Sequence, residues 1–279
     1  MIASILIGGD TVKIGFIGAG RVGVTMGKHF ITHAQDLGKY KVIGYYDSCE
    51  SAMKEAQEIT ETKILSKEEI IRISDILFIT VTDGAIEEVW NQVSKYDIKG
   101  KIICHCSGAL SSEVFSNIEK LGAYGYSVHP LFACSSKEES YKDISKALFT
   151  IEGSIEKLEE VKQMIEDLGN KVQVIDAKYK VKYHAAAVMA SNQVIGLIKA
   201  ACDLLKESGF SEENALEAIK PLIYGNIDNV YRQGIKEALT GPVVRDDKET
   251  IFKHIEALEG TTKEIYKELT IKLYDIVAE

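Results

Sequence analysis

Gly18, Gly20 and Gly23 stand at the spacing G-x-G-x-x-G, and a lone acid, Asp47, closes the next apolar run. Glycines so placed do their chemistry with the backbone. Gly18 permits a tight turn, Gly20 lets the chain approach a pyrophosphate, and Gly23 lets a helix pack closely on a strand. The free N–H groups of the helix start then hold the anion, with Ala19, Arg21 and Val22 completing the loop. A carboxylate at position 47 accepts hydrogen bonds from both adenosine ribose hydroxyls and repels the extra phosphate of NADP. Asp47, followed by Ser48, therefore favours NAD over NADP. Its other use is to cap the helix that starts near Ser48.

Further polar groups cluster at strand ends. Thr80-Val81-Thr82-Asp83 closes an apolar strand, where Val81 and Thr82 are placed to meet ribose or nicotinamide, or to form a plain turn. Cys104-His105-Cys106-Ser107-Gly108 reads as a strand running into a helix, with Ser107 and Gly108 positioned to touch cofactor or substrate. Cysteines and a histidine together suggest zinc. Strand alternation puts Cys104 and Cys106 on one face and His105 on the other, so no metal site is expected and the thiols read as small core residues. His129, before Pro130, is an acid/base candidate because imidazole titrates near neutrality. As a structural group it would bond a neighbouring loop instead.

Two more candidates lie in the last third of the chain. On one continuous helix, Ser191 lies about 20° and Asn192 about 80° from His184, so the three share a side, while Lys182 lies about 160° away and faces solvent. Polar groups on an alanine-rich buried helix need partners, either a substrate or another helix. Arg245 can clamp a carboxylate or phosphate in bidentate fashion, or tie to Asp246 or Asp247.

The elements that must position these groups are legible as periodicity. Apolar runs at 12–17, 42–46, 76–81 and 101–106 read as buried strands, with shorter ones at 124–128, 147–151 and 171–175. Helical stretches at 48–59, 86–93 and 155–168 alternate with them. That order predicts an α/β fold, a doubly wound Rossmann sheet. From about Lys178 strand patterns stop. Lys178 to Ser208 reads as one long helix rich in small residues. Ser211 caps the next helix, which should bend at Pro221. The pairs Asp246/Glu249 and Thr261/Glu264 have capping-box spacing. The expected organisation is a dinucleotide-binding domain over 11–176 and an all-helical substrate and dimerisation domain over 177–279.

Composition narrows the class. With 279 residues, 46% hydrophobic and 27% charged, the chain suits one large or two modest globular domains. A net charge of −9 without a basic stripe argues against nucleic-acid binding. No uninterrupted apolar run approaches about 18 residues, so no membrane span is expected. Met1 to Gly9 is a poor secretory signal. Five scattered cysteines suit free thiols in a reducing cytoplasm.

The stretches Ile17 to Gly23, His105 to Leu110, His129 to Leu131, Tyr183 to Ala187, Ala190 to Asn192 and Ala238 to Val243 resemble a group of Rossmann-like oxidoreductases whose C-terminal half is a domain of unknown function. More distantly the chain is similar to pyrroline-5-carboxylate reductase, ketopantoate reductase and the β-hydroxyacid dehydrogenases, which pair a nucleotide domain with a helical domain that often builds the dimer. The resemblance implies a nicotinamide cofactor and a homodimer formed through the helical domain. Members of the group often carry a basic residue where Asp47 stands. Many β-hydroxyacid dehydrogenases have a lysine four residues before the helix asparagine; here that residue is Val188.

The reading is an NAD(P)-dependent oxidoreductase transferring a hydride to or from a small, polar, anionic substrate. His184 serves as acid/base, Asn192 orients, Arg245 clamps, and His129 and Ser107 stand in reserve. A dinucleotide sensor without catalysis is the alternative, since fold does not settle function.

Overall fold

The computed structural model describes residues 11–34 and 37–279; Met1 to Gly9, read above as a poor signal, lies outside them. By its internal contacts the chain divides into two compact units, Met1–Met189 and Ala190–Glu279. The division falls further along than the expected 176/177 boundary, so the helix carrying Tyr183 and His184 goes with the first unit.

That unit is built on one sheet. Its strands are β1 (Val12–Ile17), β2 (Tyr40–Tyr46), β3 (Lys63–Ile64), β4 (Ile76–Ile79), β5 (Ile102–His105), β6 (Tyr124–Pro130), β7 (Leu148–Gly153) and β8 (Lys171–Val174), in spatial order 3-2-1-4-5-6-7-8. Pairing is parallel throughout except between β6 and β7. The helices are α1 (Arg21–Ala34), α2 (Glu50–Thr60), α3 (Lys67–Ile73), α4 (Asp83–Val93), α5 (Leu158–Glu166) and α6 (Lys180–Ala190). Both faces are covered, as a parallel sheet requires. Alternation along the strands sorts side chains into two cores. Phe16, Phe78, Cys104 and Tyr126 fill one; Ile17, Leu77, Ile79 and Ile103 fill the other with Trp90 and Phe115.

Three local differences from the sequence reading have physical causes. The expected helix after β5 is a turn followed by two short 3-10 segments, Ser112–Val114 and Ile118–Leu121, because the Ser107 hydroxyl accepts the Ala109 and Leu110 N–H groups and closes the backbone there. β3 and α3 went unnoticed; β3 has only two residues, yet Ser66 and Glu69 form a full capping box that announces α3. The long helix is two, α6 and α7 (Asn192–Glu207), because Ser191 leaves helical geometry at φ −123°, ψ −85°. His184, Ser191 and Asn192 therefore do not lie on one continuous helical face.

The second unit contains α7, α8 (Glu212–Gln233), α9 (Ile235–Ala238), α10 (Lys248–Ala257) and α11 (Gly260–Ala278). Ser211 caps α8 by accepting the Asn214 N–H, and α8 continues through Pro221. The other two expected caps differ. Asp247, not Asp246, caps α10 through the Thr250 N–H, and α11 starts at Gly260 without a side-chain cap. Burial here is sparse: α7 buries only Cys202 and α8 only Ala215. The stretch Ala177–Glu207 also contains an 18-residue window of mean hydropathy 1.4, of which 6% is buried. By length and composition it passes as a membrane span. It contains no uninterrupted apolar run as long as that window, because alanine, valine, isoleucine and leucine raise the average around scattered polar residues.

Candidate active site

The glycine loop follows β1 at its carboxyl end. Gly18 has φ +113°, and a Cβ there would meet the Thr80 carbonyl carbon at 2.6 Å, so both conformation and space demand glycine. A Cβ on Gly23 would lie 2.4 Å from the Gly18 oxygen; around Gly20 nothing stands within 4 Å. The loop is thus closed on the sheet side and open where an anion would approach. Thr80 braces it by donating to the Gly18 carbonyl at 2.8 Å.

Asp47 is tied to this loop directly. One carboxylate oxygen accepts the Ala19 N–H at 2.7 Å and the other accepts the Cys49 N–H at 2.9 Å. Asp47 thus braces the glycine loop and the residue before α2, whose N-cap position is Cys49. A cavity of about 440 Å³ opens between Gly18, Gly20, Asp47, Ser48, Val81 and Thr82. These residues fit a dinucleotide: open backbone for a pyrophosphate, a carboxylate and a hydroxyl for a ribose. Arg21 is exposed, its guanidinium 3.5 Å from the Ser135 carbonyl.

A second cluster gathers at the carboxyl ends of β5 and β6. Ser107, 5% exposed, donates its hydroxyl to Asp83 at 2.8 Å, so that hydroxyl is committed to shaping the turn. His129 Nδ1 lies 2.7 Å from the Tyr183 hydroxyl, a helix rather than a loop partner. The imidazoles of His129 and His184 are edge-to-face at 6.2 Å. A Cβ placed on Gly108 would meet His184 Nδ1 at 2.4 Å and His129 Nε2 at 2.9 Å. Both rings therefore press a nitrogen toward the same small space beside Gly108. His184 Nδ1 is buried and has no hydrogen-bond partner among the described residues. His29 Nδ1, in the core on α1, is buried without a partner too, so it is the position beside Gly108 and His129 that singles out His184.

Beneath the imidazoles lies Lys180, 1% exposed. Its ammonium donates to the Ser107 carbonyl at 2.9 Å and the Ser127 hydroxyl at 2.7 Å. Burial pulls it down to about 8, against the opposing attraction of Glu152. Burial first, and Lys180 second, hold His129 down to about 3. His129 is accordingly neutral at physiological pH and does not titrate as an acid/base group there. His105 is likewise lowered to about 4 by burial, its Nε2 facing the Ser111 carbonyl. It sits against Phe115 in one core while Cys104 belongs to the other.

Residues 6–130 match the family description "Rossmann-like domain" and residues 147–273 match "Domain of unknown function (DUF2520)". The chain belongs to the proteins that join these two domains. Among solved structures it is similar to a protein from Thermotoga maritima at 27% identity and TM-score 0.73, covering 95% of this chain and 98% of that one. It shares its fold with a Plasmodium falciparum pyrroline carboxylate reductase solved with NADP bound (18% identity, TM-score 0.60, covering 95% and 98%). The same holds for an NADH-preferring ketol-acid reductoisomerase from an uncultured archaean (15%, TM-score 0.63, covering 95% and 82%). No functionally curated protein matches the sequence. The DUF2520 match begins at the end of the Rossmann-like sheet, so β7, α5 and β8 belong to it.

The first unit of this Rossmann-like and DUF2520 chain thus brings together Ser107, His129 and His184. Asn192 and Arg245 lie in the second unit, both exposed. Arg245 makes no ion pair with either foreseen partner, although, after the Thr250 hydrogen bonds, its charge helps hold the Asp247 carboxyl below the usual range. Asp246 pairs with Lys248 at 3.3 Å and Asp247 caps α10, leaving Arg245 with no ion pair among the described residues. Two residues of the site were missed in the sequence: Tyr183, quoted only inside a motif, and Lys180, which reads as one more surface lysine. The signal available was spacing. Lys180, Tyr183 and His184 recur at i, i+3 and i+4, the pattern of one helical face.

Proposed function

We propose that the chain is an NAD(P)-dependent oxidoreductase acting on a small, polar substrate. The observation that carries this is the pair of imidazole nitrogens converging beside Gly108, in the same unit as an open glycine loop. A bound nicotinamide supplies the hydride; the protein supplies orientation and protons. His184, with Nδ1 unsatisfied, is the proposed acid/base residue. His129 has a different task. With the Tyr183 hydroxyl donating to Nδ1, the ring hydrogen resides on Nε2, and a neutral imidazole then donates a hydrogen bond to a substrate oxygen. Lys180 positions Ser127 and the Ser107 backbone below them.

The cofactor preference is part of this proposal. Asp47 supports NAD, while the structural relatives include both an NADP complex and an NADH-preferring enzyme. We also propose a homodimer through the helical domain, supported by the apolar side chains it exposes: Ile195 and Leu222 at 65%, Tyr231 at 88%.

The test is titration with NADH and NADPH followed by nicotinamide fluorescence, then turnover on a panel of small keto and imino acids. Binding by the wild type, abolished in Gly20→Asp, is expected. His184→Ala should bind cofactor normally and lose turnover at least a hundredfold, the scale of acid–base catalysis. Unchanged turnover in that variant would remove His184 from the chemistry.

A further inference from the structure

The cavity beside Asp47 holds a cation that the ribose reading does not use. Lys67, at the start of α3, lines the same space as Asp47, Ser48 and Gly20. The sheet order explains its reach: β3 lies outside β2, so the turn from β3 into α3 flanks the end of the strand that carries Asp47. The side chain is held in place by neutral groups. Its ammonium donates to Gln92 Oε1 at 2.6 Å and stands 5.6 Å from the centre of the Tyr46 ring.

No carboxylate forms an ion pair with Lys67 among the described residues; the neighbouring Glu68 feels its charge but is held first by hydrogen bonds. Glu68 accepts from the Tyr96 hydroxyl at 2.9 Å, and Glu69 closes the capping box with Ser66. Glu88 lines the cavity but is approached by the Gln92 amide at 3.4 Å. A half-buried ammonium with one donor spent on an amide keeps donors for an anion. Ten lysines elsewhere among the described residues pair with an acid three or four residues away in sequence; what sets Lys67 apart is its place in the cavity.

We propose that Lys67 is the contact for a 2′-phosphate on the adenosine ribose, so that this pocket accepts NADP(H) in spite of Asp47. The inference rests on the cofactor-site reading above and deepens it. Asp47 disfavours a phosphate by charge, yet both of its oxygens already accept backbone N–H groups, which draws its charge toward the loop. Lys67 supplies the opposite charge from a different element.

The experiment compares NADPH with NADH, and adenosine 2′,5′-bisphosphate with adenosine 5′-monophosphate, on wild type, Lys67→Met and Lys67→Arg by calorimetry. Methionine keeps an apolar stem on Tyr46 and removes the charge together with the hydrogen bond to Gln92, which arginine can restore. Lys67→Met should weaken the two 2′-phosphorylated ligands about tenfold and leave the other two within twofold, with Arg restoring most of the loss. Equal weakening of all four ligands, or no change in any, overturns the assignment. Should the wild type bind none of them, the cofactor site itself is wrong. Gly20-dependent binding of any one of them keeps that site whatever Lys67 does.

Discussion

The two units spend their apolar residues differently. In the first, Phe16, Phe78, Trp90 and Phe149 are all 1% exposed or less, and two cores close on opposite faces of one sheet. In the second, three of the longest helices bury a single residue each: Cys202 on α7, Ala215 on α8 and Thr270 on α11. Yet the second unit is not short of large apolar side chains, and Ile195, Leu222 and Tyr231 are among those it exposes. A sheet with helices on both sides satisfies itself, whereas helices with apolar faces in several directions need something more to cover them. Chemistry follows the same division. The glycine loop, the imidazole pair and both unusual lysines sit where the scaffold is rigid, and the unit with spare surface is the one proposed to meet a second copy.

The sharpest way to break this contrast is to open the first core. Phe78→Ala should cost about 3–5 kcal/mol in chemical denaturation, the loss typical of a buried phenylalanine. A loss below about 1 kcal/mol would mean that the first unit does not hold itself together. A second comparison loads charge onto the exposed apolar face. Leu222→Asp should turn a dimer into a monomer in sedimentation at micromolar concentration, while changing the stability of the isolated protomer by no more than about 0.5 kcal/mol. A wild type that sediments as a monomer removes the dimer, and partition of that protein into lipid vesicles would assign the apolar stretch to a membrane.

The smallest effect concerns the ammonium buried in the well-packed unit. The folded state lowers Lys180 to about 8 from an ordinary value near 10.5. The unfolded chain therefore binds more protons between those limits, and stability gains as pH rises from 8 to 10.5. Relative to Lys180→Met, the wild type should gain up to about 3 kcal/mol across that window and nothing below it. A flat difference between the two proteins would show that the ammonium is solvated.

How much of this was legible depends on how local each signal is. Buried strands announce themselves because a parallel sheet needs unbroken apolar runs, and the glycine loop does so because backbone geometry permits little else there. The imidazole pair was half legible: His129 and His184 stand out as residues, but their meeting beside Gly108 is a tertiary fact. Ser191 carries no glycine or proline to mark the break in the helix, so the angles drawn from His184 to Asn192 assumed a continuity that does not exist. Lys180 and Lys67 were lost among ordinary lysines because only neighbours reveal a cation that lacks an acid.

The side-chain contacts between α6 and β6 have a consequence in arithmetic. A strand advances ~3.3 Å per residue and a helix ~1.5 Å, so two steps of one nearly equal four steps of the other. Ser127 and His129 on the strand thus fall in step with Lys180 and His184 on the helix, and the two elements mesh like a rack and a screw. One residue inserted between Asp176 and Lys180 would rotate α6 by about 100° and strip Lys180, Tyr183 and His184 from their partners together. The same insertion after Ser191 would leave all three engaged.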